Sequence, residues 1–484
     1  MAPRIVIVGA GFGGIGLGIQ LRRAGIDSFT ILEKADAVGG VWRDNTYPGL
    51  TCDVPSHLYS FSFEPNHDWT RRYPPQPEIL AYLERCVDRH GLGDYIRFGT
   101  EVASAEFDAV RGAWRIRLAG GDELDADVLV AATGQLSRPA YPPIPGLHEF
   151  EGKLFHSARW DHDYELAGKR VAVIGTGASA VQFIPEIAPE VSRLVVFQRS
   201  APWLIPKPDR PYRRWERSLY RRLPVLQAIS RWCDYCLYEF LVLAFTRFQR
   251  LLRPFERRYR RRLEREVPDP DLRAHLTPDY PMGCKRIVIA NEYVETMLRP
   301  NVELLTAKVE RIAPKGVVTA EGDTHEVDAI ILGTGFQANE FLAPMRISGV
   351  DGVDLNETWR EGAEAYLGIT VSGFPNLYIL YGPNTNLGAN SIVYMLESQI
   401  RYVLDGIRAG ARDGGAPLEV RPEVQREFND ELQRRLAGSV WQGGCTSWYV
   451  NDAGRVTNNW PGMTVEYRRR TRRFDPADYR PVPA

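Results

Sequence analysis

The sequence predicts an α/β fold in which two nucleotide-binding domains are nested within one chain. Two glycine-rich loops, GAGFGG at residues 9–14 and GTGASA at residues 175–180, each follow a short apolar strand and precede a helical pattern. Two later apolar strands, at residues 127–131 and 327–332, each run into a turn that contains Thr and Gly. Together with an arginine-rich helical stretch, these features indicate two Rossmann-like dinucleotide-binding domains and a helical insertion.

Length and composition limit the classes of protein to consider. At 484 residues the chain can form two or three domains, and 44% hydrophobic and 25% charged residues are typical of a globular protein. A net charge of −1 argues against nucleic acid as a partner. The six scattered cysteines favour reduced thiols and a cytoplasmic location, and the N-terminus lacks the pattern of a signal peptide. We expect a monomer or weak oligomer, no membrane-spanning run and no metal site.

The first glycine-rich loop is expected to bind FAD. It follows the strand at residues 5–8, and its glycines let the backbone approach a pyrophosphate at a helix N-terminus. A second strand, at residues 28–32, ends in Glu33, which would accept a hydrogen bond from a ribose hydroxyl. A tight turn in another kind of α/β protein is the alternative, and the register of Glu33 argues against it. The residues assigned to this site are Gly9, Gly11, Gly14, Glu33, Thr133 and Gly134.

The next segment carries a cysteine and an acid that bear on the chemistry. Flavin disulfide reductases have a pair of redox cysteines in this region, whereas Cys52 stands alone here, which disfavours dithiol chemistry. Asp53 follows directly. From this segment by itself, Asp53 is either a solvated loop acid or a residue of the site.

The second glycine-rich loop is expected to bind NADP(H). It follows the buried strand at residues 170–174, and the partner strand at 194–197 leads to Arg199 instead of an acid. An acid there would accept a hydrogen bond from a ribose hydroxyl of NAD, whereas an arginine is suited to bind the 2′-phosphate of NADP(H). The alternative for Arg199 is an exposed surface cation. The loop residues assigned to this site are Gly175, Thr176, Gly177, Ala178 and Ser179.

The segment 210–266 differs in composition from the rest of the chain. It contains 16 arginines and no lysine against six acidic residues, and apolar residues recur at helical spacing. One interpretation is a helical insertion whose basic face is solvated or lies against the NADP domain. The other is a basic amphipathic helix that makes peripheral contact with an anionic membrane, so that the protein is membrane-associated. After this segment, Lys285 and Arg286 are either solvated or reach the gap between the two cofactors.

The order of these features predicts a discontinuous arrangement of domains. We expect the FAD-binding domain at residues 1–140 and 330–484, and the NADP-binding domain at 162–208 and 276–329. The helical insertion would occupy residues 209–275. The remaining residues, 141–161, would link the two domains.

The linker carries the most specific motif in the chain. The stretch FEGKLFHSARWD at residues 150–161 matches the fingerprint of type I Baeyer–Villiger monooxygenases through Phe150, Gly152, His156, Trp160 and Asp161. Other stretches resemble the same family: GGVW at 39–42, YPG at 47–49, FQRS at 197–200, KR at 285–286 and SWY at 447–449. The resemblance runs essentially from end to end, and it implies that the linker couples domain rotation to catalysis. His156 is therefore expected to act in conformational change and not as a proton shuttle.

The resemblance also implies roles for individual residues. Arg286 resembles the active-site arginine that stabilises an anionic flavin peroxide, and Asp53 resembles the acid that orients it. Lys285 and Arg199 resemble contacts to the 2′-phosphate. Trp448 resembles a tryptophan near the nicotinamide ribose and the substrate. Finally, the family pattern adds one residue to the cofactor contacts: Trp42.

The resemblance implies an FAD enzyme that uses NADPH and O₂ to insert one oxygen next to the carbonyl of a small-molecule ketone. The product would be an ester or lactone, formed through a C4a-peroxyflavin. A first alternative is a flavin monooxygenase that oxygenates nitrogen or sulfur; Trp160 and Asp161 argue against it, because those enzymes carry Phe or Tyr in place of the Trp-Asp ending. A second alternative is a flavin- and NADPH-binding redox sensor without turnover of its own.

Overall fold

The computed structural model describes residues 2–412, 416–445, 447–451 and 453–482. Its strands are β1 (Ile5–Val8), β2 (Phe29–Leu32), β3 (Ile96–Arg97), β4 (Val102–Asp108), β5 (Ala113–Leu118), β6 (Glu123–Ala126), β7 (Val128–Ala131), β8 (Lys153–His156), β9 (Arg170–Ile174), β10 (Arg193–Phe197), β11 (Leu204–Ile205), β12 (Val288–Ile289), β13 (Val302–Leu305), β14 (Val309–Ala313), β15 (Gly316–Thr319), β16 (Thr324–Glu326), β17 (Ala329–Leu332), β18 (Arg346–Ser348), β19 (Leu377–Ile379), β20 (Leu418–Val420) and β21 (Tyr479–Pro481). Its α-helices are α1 (Phe12–Arg23), α2 (Val41–Asp44), α3 (Gln76–Arg89), α4 (Ala180–Ile187), α5 (Arg214–Arg222), α6 (Pro224–Thr246), α7 (Arg253–Glu266), α8 (Pro270–His275), α9 (Tyr293–Thr296), α10 (Leu355–Thr358), α11 (Ile392–Arg412), α12 (Pro422–Leu436) and α13 (Thr464–Arg470).

The first glycine-rich loop lies at the edge of a parallel sheet of five strands in the order β19-β7-β1-β2-β3. The central strand β1 pairs with β2 on one side and with β7 on the other. These strands are short and almost fully buried, because helices cover the sheet. Helix α1 packs closely on α11: a Cβ atom at Gly16 would lie 2.8 Å from Ile400 Cδ1. The C-terminal part of the chain thereby completes the first domain.

The second glycine-rich loop lies at the edge of another parallel sheet, in the order β13-β10-β9-β17-β8. Its edge strand β8 comes from the linker segment 141–161 and pairs with β17. Strand β17 begins at Ala329, so the predicted boundary of the second domain, between residues 329 and 330, falls inside this strand. The two parallel sheets confirm the predicted α/β class with two Rossmann-like units.

Three helices form the arginine-rich segment. They are α5, α6 and α7, with a 3₁₀ turn at Gln249–Leu252 between the last two. Among the residues that the structure describes, no helix is both long and apolar enough to cross a membrane.

A disulfide joins Cys284 to Cys445, which are 161 positions apart in the sequence. The prediction that all six cysteines are reduced is therefore wrong for this pair, because sequence spacing does not show which distant cysteines meet in space. The other four cysteines are free thiols. The bond ties the segment that leads into Lys285 and Arg286 to the C-terminal segment that precedes Trp448.

Candidate functional site

The first glycine-rich loop has the shape needed for a pyrophosphate. Gly9 has a φ of +107°, and a Cβ atom there would lie 2.7 Å from the carbonyl oxygen of Ala132, just before Thr133 and Gly134. A Cβ atom at Gly14 would lie 1.9 Å from the carbonyl oxygen of Gly9, so no larger residue fits. Gly11 caps α1 without a side-chain hydrogen bond, which leaves the N–H groups of its first turn available to an anion.

Glu33 is held against this loop by three contacts. Its buried carboxylate accepts hydrogen bonds from the N–H of Ala10 at 2.9 Å and of Ala35 at 3.0 Å, and it lies 3.1 Å from Arg43 Nη1. Because a carboxylate has about four acceptor positions, these contacts fix its orientation and leave capacity for a further donor. Trp42 lies nearby in the core and donates its indole N–H to Tyr59.

Asp53 and Arg286 meet although 233 positions separate them. Arg286 Nη2 donates to Asp53 Oδ2 at 3.2 Å. The Asp53 side chain is only 13% exposed, whereas that of Arg286 is 44% exposed. The acid is therefore a largely buried, paired carboxylate and not a solvated loop residue. Partial burial opposes the charge on Arg286, but Asp53 and Tyr449 outweigh it and raise the pKa of the guanidinium. Arg286 thus presents a permanent positive charge on the open side of this pair.

A second cation supports Asp53 and was not predicted from the sequence. Lys207 Nζ lies 3.7 Å from Asp53 Oδ1, donates to Thr51 Oγ1 and lies over the ring of Tyr73. Asp53 Oδ1 is buried and has no hydrogen-bond donor among the described residues, so it can accept one from a bound group. A single lysine after a proline gives no local signal; only the fold brings it to Asp53.

Two cations lie together beside the second glycine-rich loop. Lys285 Nζ donates to Ser200 Oγ at 2.8 Å, and burial together with the nearby positive charge of Arg199 lowers the pKa of Lys285. Arg199 is exposed at the end of β10. Because two like charges repel each other, an anion that contacts both would be favoured here.

The loop beside these cations is shaped by its glycines. A Cβ atom at Gly175, which has a φ of +105°, would lie 2.5 Å from the carbonyl oxygen of Gly333, whereas one at Gly177 would be almost free of neighbours. Thr176 Oγ1 donates to the carbonyl oxygen of Ser200 at 3.5 Å, and Ala178 and Ser179 lead into α4. The loop therefore leaves an open path for phosphate groups beside Arg199 and Lys285.

The segment 47–51 connects the two sites. Gln182 of α4 donates to the carbonyl oxygen of Thr51 at 3.0 Å and accepts from the Tyr47 hydroxyl at 3.3 Å. A Cβ atom at Gly49 would lie 2.8 Å from the carbonyl oxygen of Gln182, so glycine is required for this approach. Asp53 follows this segment directly, which places the pair Asp53–Arg286 at the junction between the two glycine-rich loops.

The C-terminal segment forms one wall of the junction. The ring of Trp448 lies 4.4 Å from that of Tyr449, and both pack in a cluster that includes Cys284. Tyr449 is buried and lies close enough to Arg286 to contribute to the raised pKa of its guanidinium. The disulfide at Cys445 fixes this wall beside the loop of Arg286.

The fingerprint residues hold the linker onto the second sheet and α4. Trp160 packs edge-on against Phe155 at 5.2 Å and lies 5.3 Å from Phe183 of α4. Asp161 forms an ion pair with Lys153 of β8. The hydrogen bond that Lys153 donates within this pair lowers the pKa of the Asp161 carboxyl.

The beginning of the fingerprint is equally constrained. A Cβ atom at Gly152 would lie 2.5 Å from the carbonyl oxygen of Asp328 and 2.6 Å from the ring of Phe150. No side chain larger than that of glycine fits between them. The spacing of Phe150 and Gly152 therefore reflects packing of the linker on the strand pair β8–β17.

His156 is fully buried in the linker and is neutral. Its Nδ1 accepts from the N–H of Ala158 at 3.0 Å, so the ring proton lies on Nε2, and burial lowers the pKa of His156 from 6.5 to about 4. At pH values between these two pKa values, His156 is protonated in the unfolded chain but not in the folded chain. Lowering the pH from about 6.5 to about 4 should therefore cost about 3 kcal/mol of the free energy of unfolding through this residue.

The variant His156→Asn tests this expectation, because the Asn amide oxygen can take the place of Nδ1. Its free energy of unfolding, measured by denaturant titration between pH 4 and 7, should vary less steeply with pH than that of the wild type. The exposed His148→Asn is the matched control and should follow the wild type. Equal slopes in all three proteins would contradict a neutral, buried His156.

Comparison with known proteins identifies the family. Residues 6–215 match the family described as pyridine nucleotide-disulphide oxidoreductase. A Baeyer-Villiger monooxygenase of Pseudomonas aeruginosa is 47% identical over 478 residues, which cover 98% of this chain and 91% of that protein. The chain belongs to the Baeyer–Villiger monooxygenase family. The family indicated by the linker motif is thereby confirmed, and the protein is a flavin-dependent monooxygenase.

Solved structures of monooxygenases are similar over the whole chain. An oxidized steroid monooxygenase bound to NADP is 34% identical, with a TM-score of 0.86 over 98% of this chain and 97% of that one. The structure of OTEMO in complex with FAD and NADP is 28% identical, with a TM-score of 0.88 over 98% of each chain. The chain thus shares its fold with these monooxygenases over essentially its whole length.

The free thiol near the site agrees with this family and not with disulfide reduction. Burial raises the pKa of Cys52 to about 12, so it is a neutral thiol at physiological pH. Cys52 is unpaired in the structure. The described residues therefore place no redox dithiol at this position, although residues 6–215 match a family named for disulphide oxidoreductases.

Proposed function

We propose that the protein binds FAD and NADPH and uses O₂ to insert one oxygen next to a ketone carbonyl, which gives an ester or lactone. The observation that carries this proposal is the Asp53–Arg286 pair at the junction of the two glycine-rich loops. The FAD loop fits the cofactor because its glycines leave room for a pyrophosphate and Asp53 Oδ1 offers a buried acceptor. When bound and reduced by NADPH, FAD supplies the activation of O₂.

Arg286 would supply the positive charge that the reaction needs. Negative charge develops on the carbonyl oxygen of a ketone when an oxygen nucleophile adds to its carbon, and a guanidinium stabilises that charge without giving up a proton. Asp53 fixes the direction of the guanidinium, and Lys207 in turn fixes Asp53. The charge is therefore already in place before the substrate arrives.

The residues beside the second loop would select NADPH. Lys285 and Arg199 would bind the 2′-phosphate, and Ser200 holds the Lys285 ammonium in position. The wall formed by Trp448 and Tyr449 would help to exclude water from the junction, which strengthens the charge interactions within it.

Product analysis tests the proposed reaction. The holoenzyme would be incubated with NADPH and a panel of cyclic and aryl ketones under ¹⁸O₂, and the products identified by mass spectrometry. One labelled oxygen in an ester or lactone is expected. Exclusive oxygenation of thioethers and amines in the parallel assay would support the heteroatom alternative, and no oxygenated product at all would support a redox sensor.

We also propose the finer features of location and assembly. The four free thiols support a cytoplasmic location, although the Cys284–Cys445 disulfide is unusual for a reducing compartment, and we propose a monomer or weak oligomer. The arginine-rich segment 210–266 supports peripheral contact with a membrane.

A further inference from the structure

Helix α6 has the reverse of the polarity expected for a surface helix. Its three charged residues are Arg231, Asp234 and Glu239, and all three are turned toward the protein. Across its 23 residues, all of which the structure describes, no fully exposed position carries a charged side chain. An ordinary surface helix of a globular protein places its charges toward water.

Each inward charge makes hydrogen bonds to a distant part of the chain. Arg231 Nη1 donates to the carbonyl oxygens of His57 and Ser60, both at 2.7 Å. The two carboxylates accept hydrogen bonds: Asp234 from Arg72 at 2.7 Å, and Glu239 from the side-chain amide of Asn390 at 2.9 Å. These contacts fix the rotation of α6 about its axis, so its apolar side must face outward.

The outward side of α6 is a continuous apolar stripe. Val225, Ile229, Trp232 and Phe240 recur at helical spacing, and the side chains of Trp232 and Phe240 are 64% and 60% exposed. Of the fifteen large apolar side chains exposed among the described residues, ten lie between residues 215 and 255. Apolar exposure concentrated in one segment of the chain is typical of an interaction surface.

Exposed arginines precede and follow the stripe along the chain. Arg214 and Arg222 lie on α5 before it, and Arg247, Arg250 and Arg253 follow it. All five are exposed, and none forms an ion pair with any residue that the structure describes. The surface therefore combines an apolar centre with a positive rim.

We propose that α6 lies flat on an anionic membrane surface, with Ile229, Trp232 and Phe240 inserted among the lipids and the flanking arginines on the headgroups. The positive charge of the rim favours an anionic membrane as the binding partner, because anionic lipids provide both an apolar phase and the opposite charge. Helix α6 is about 34 Å long. It would bind in the plane of the membrane, since no described helix is suited to span it.

Sedimentation of the full-length holoenzyme with lipid vesicles tests this proposal, with a readout independent of catalysis. The wild type should bind vesicles of phosphatidylcholine mixed with phosphatidylglycerol and bind pure phosphatidylcholine much more weakly. Trp232→Glu and Phe240→Glu should each lower the partition coefficient about tenfold or more, because an aromatic group that would insert among the lipids is replaced by a charge. Val110→Glu is the matched control: its side chain is 87% exposed but lies on the turn between β4 and β5, and binding should be unchanged.

The rim is tested separately. Arg222→Glu and Arg250→Glu should weaken binding to anionic vesicles and reduce its dependence on salt. Flavin content and thermal unfolding would show that each variant is folded. The proposal is overturned if the folded wild type does not sediment with anionic vesicles, or if Trp232→Glu binds as the wild type does. A stable dimer that Trp232→Glu dissociates, without vesicle binding, would assign the surface to a second copy of the chain and also overturn it.

Discussion

Replacing Arg286 by alanine should lower ester formation by about 10²–10³-fold or more and leave FAD bound. The guanidinium is the positive charge held at the junction of the two loops, and Asp53 holds it there at 3.2 Å. Removing it leaves the developing negative charge on the substrate without its partner. Among the described residues, none of the contacts that shape the first glycine-rich loop involves Arg286, so the flavin content should not change. Ester formation would be measured by product analysis, and flavin content by absorbance after gel filtration.

Two further variants make the test specific. Arg286→Lys keeps the positive charge but lacks the planar guanidinium group that donates to Asp53. Its rate should therefore lie between those of the wild type and the alanine variant. Arg346→Ala, an exposed arginine on β18, is the matched control and should have the wild-type rate. If Arg286→Ala oxygenates ketones at the rate of the control, then Arg286 is not the catalytic cation.

The local elements of both glycine-rich loops could be predicted because short-range patterns determine them. Strands β1 and β9 read as buried apolar runs, and the glycines that follow are required by the close approach of neighbouring carbonyls. The pair Asp53–Arg286 was predicted only through the family resemblance, because no local pattern relates residues 233 positions apart. Lys207 and Gln182 were missed for the same reason: their partners are determined by the packing of one domain on the other.

The orientation of α6 could not be predicted from its composition. Helical spacing and many arginines suggest a helix with its charges outward, but the rotation of α6 depends on Arg72, Asn390 and the carbonyl of His57, which lie far away in the sequence. The same limit applies to the disulfide between Cys284 and Cys445. In both cases the decisive interaction is long-range, and a periodic pattern carries no information about it.

Replacing Lys285 by alanine should raise the KM for NADPH about 10–100-fold, with a much smaller change for NADH. A hydrogen bond between a charged side chain and a phosphate contributes about 1.5–3 kcal/mol, and only NADPH carries the 2′-phosphate. Arg199→Ala should act in the same direction. Because both cations would bind one anion, the loss of NADPH binding free energy in the double variant should be smaller than the sum of the losses in the two single variants. Steady-state NADPH and NADH oxidation in the presence of a ketone would give these constants.

The cofactor preference, not the absolute rate, decides between a specific phosphate site and general electrostatic attraction. Lys308→Ala removes an exposed lysine from the same domain, between β13 and β14, and should leave the ratio of the KM values for NADH and NADPH unchanged. If Lys285 makes a specific contact with the 2′-phosphate, its loss raises the KM for NADPH alone and lowers that ratio. If Lys285 only adds to the general positive charge, its loss raises the KM values for both cofactors alike, and the ratio stays unchanged, as in the control. An unchanged ratio in both Lys285→Ala and Arg199→Ala would mean that the 2′-phosphate binds elsewhere. The contact from Lys285 to Ser200 would then serve only to hold the loop that carries Arg286.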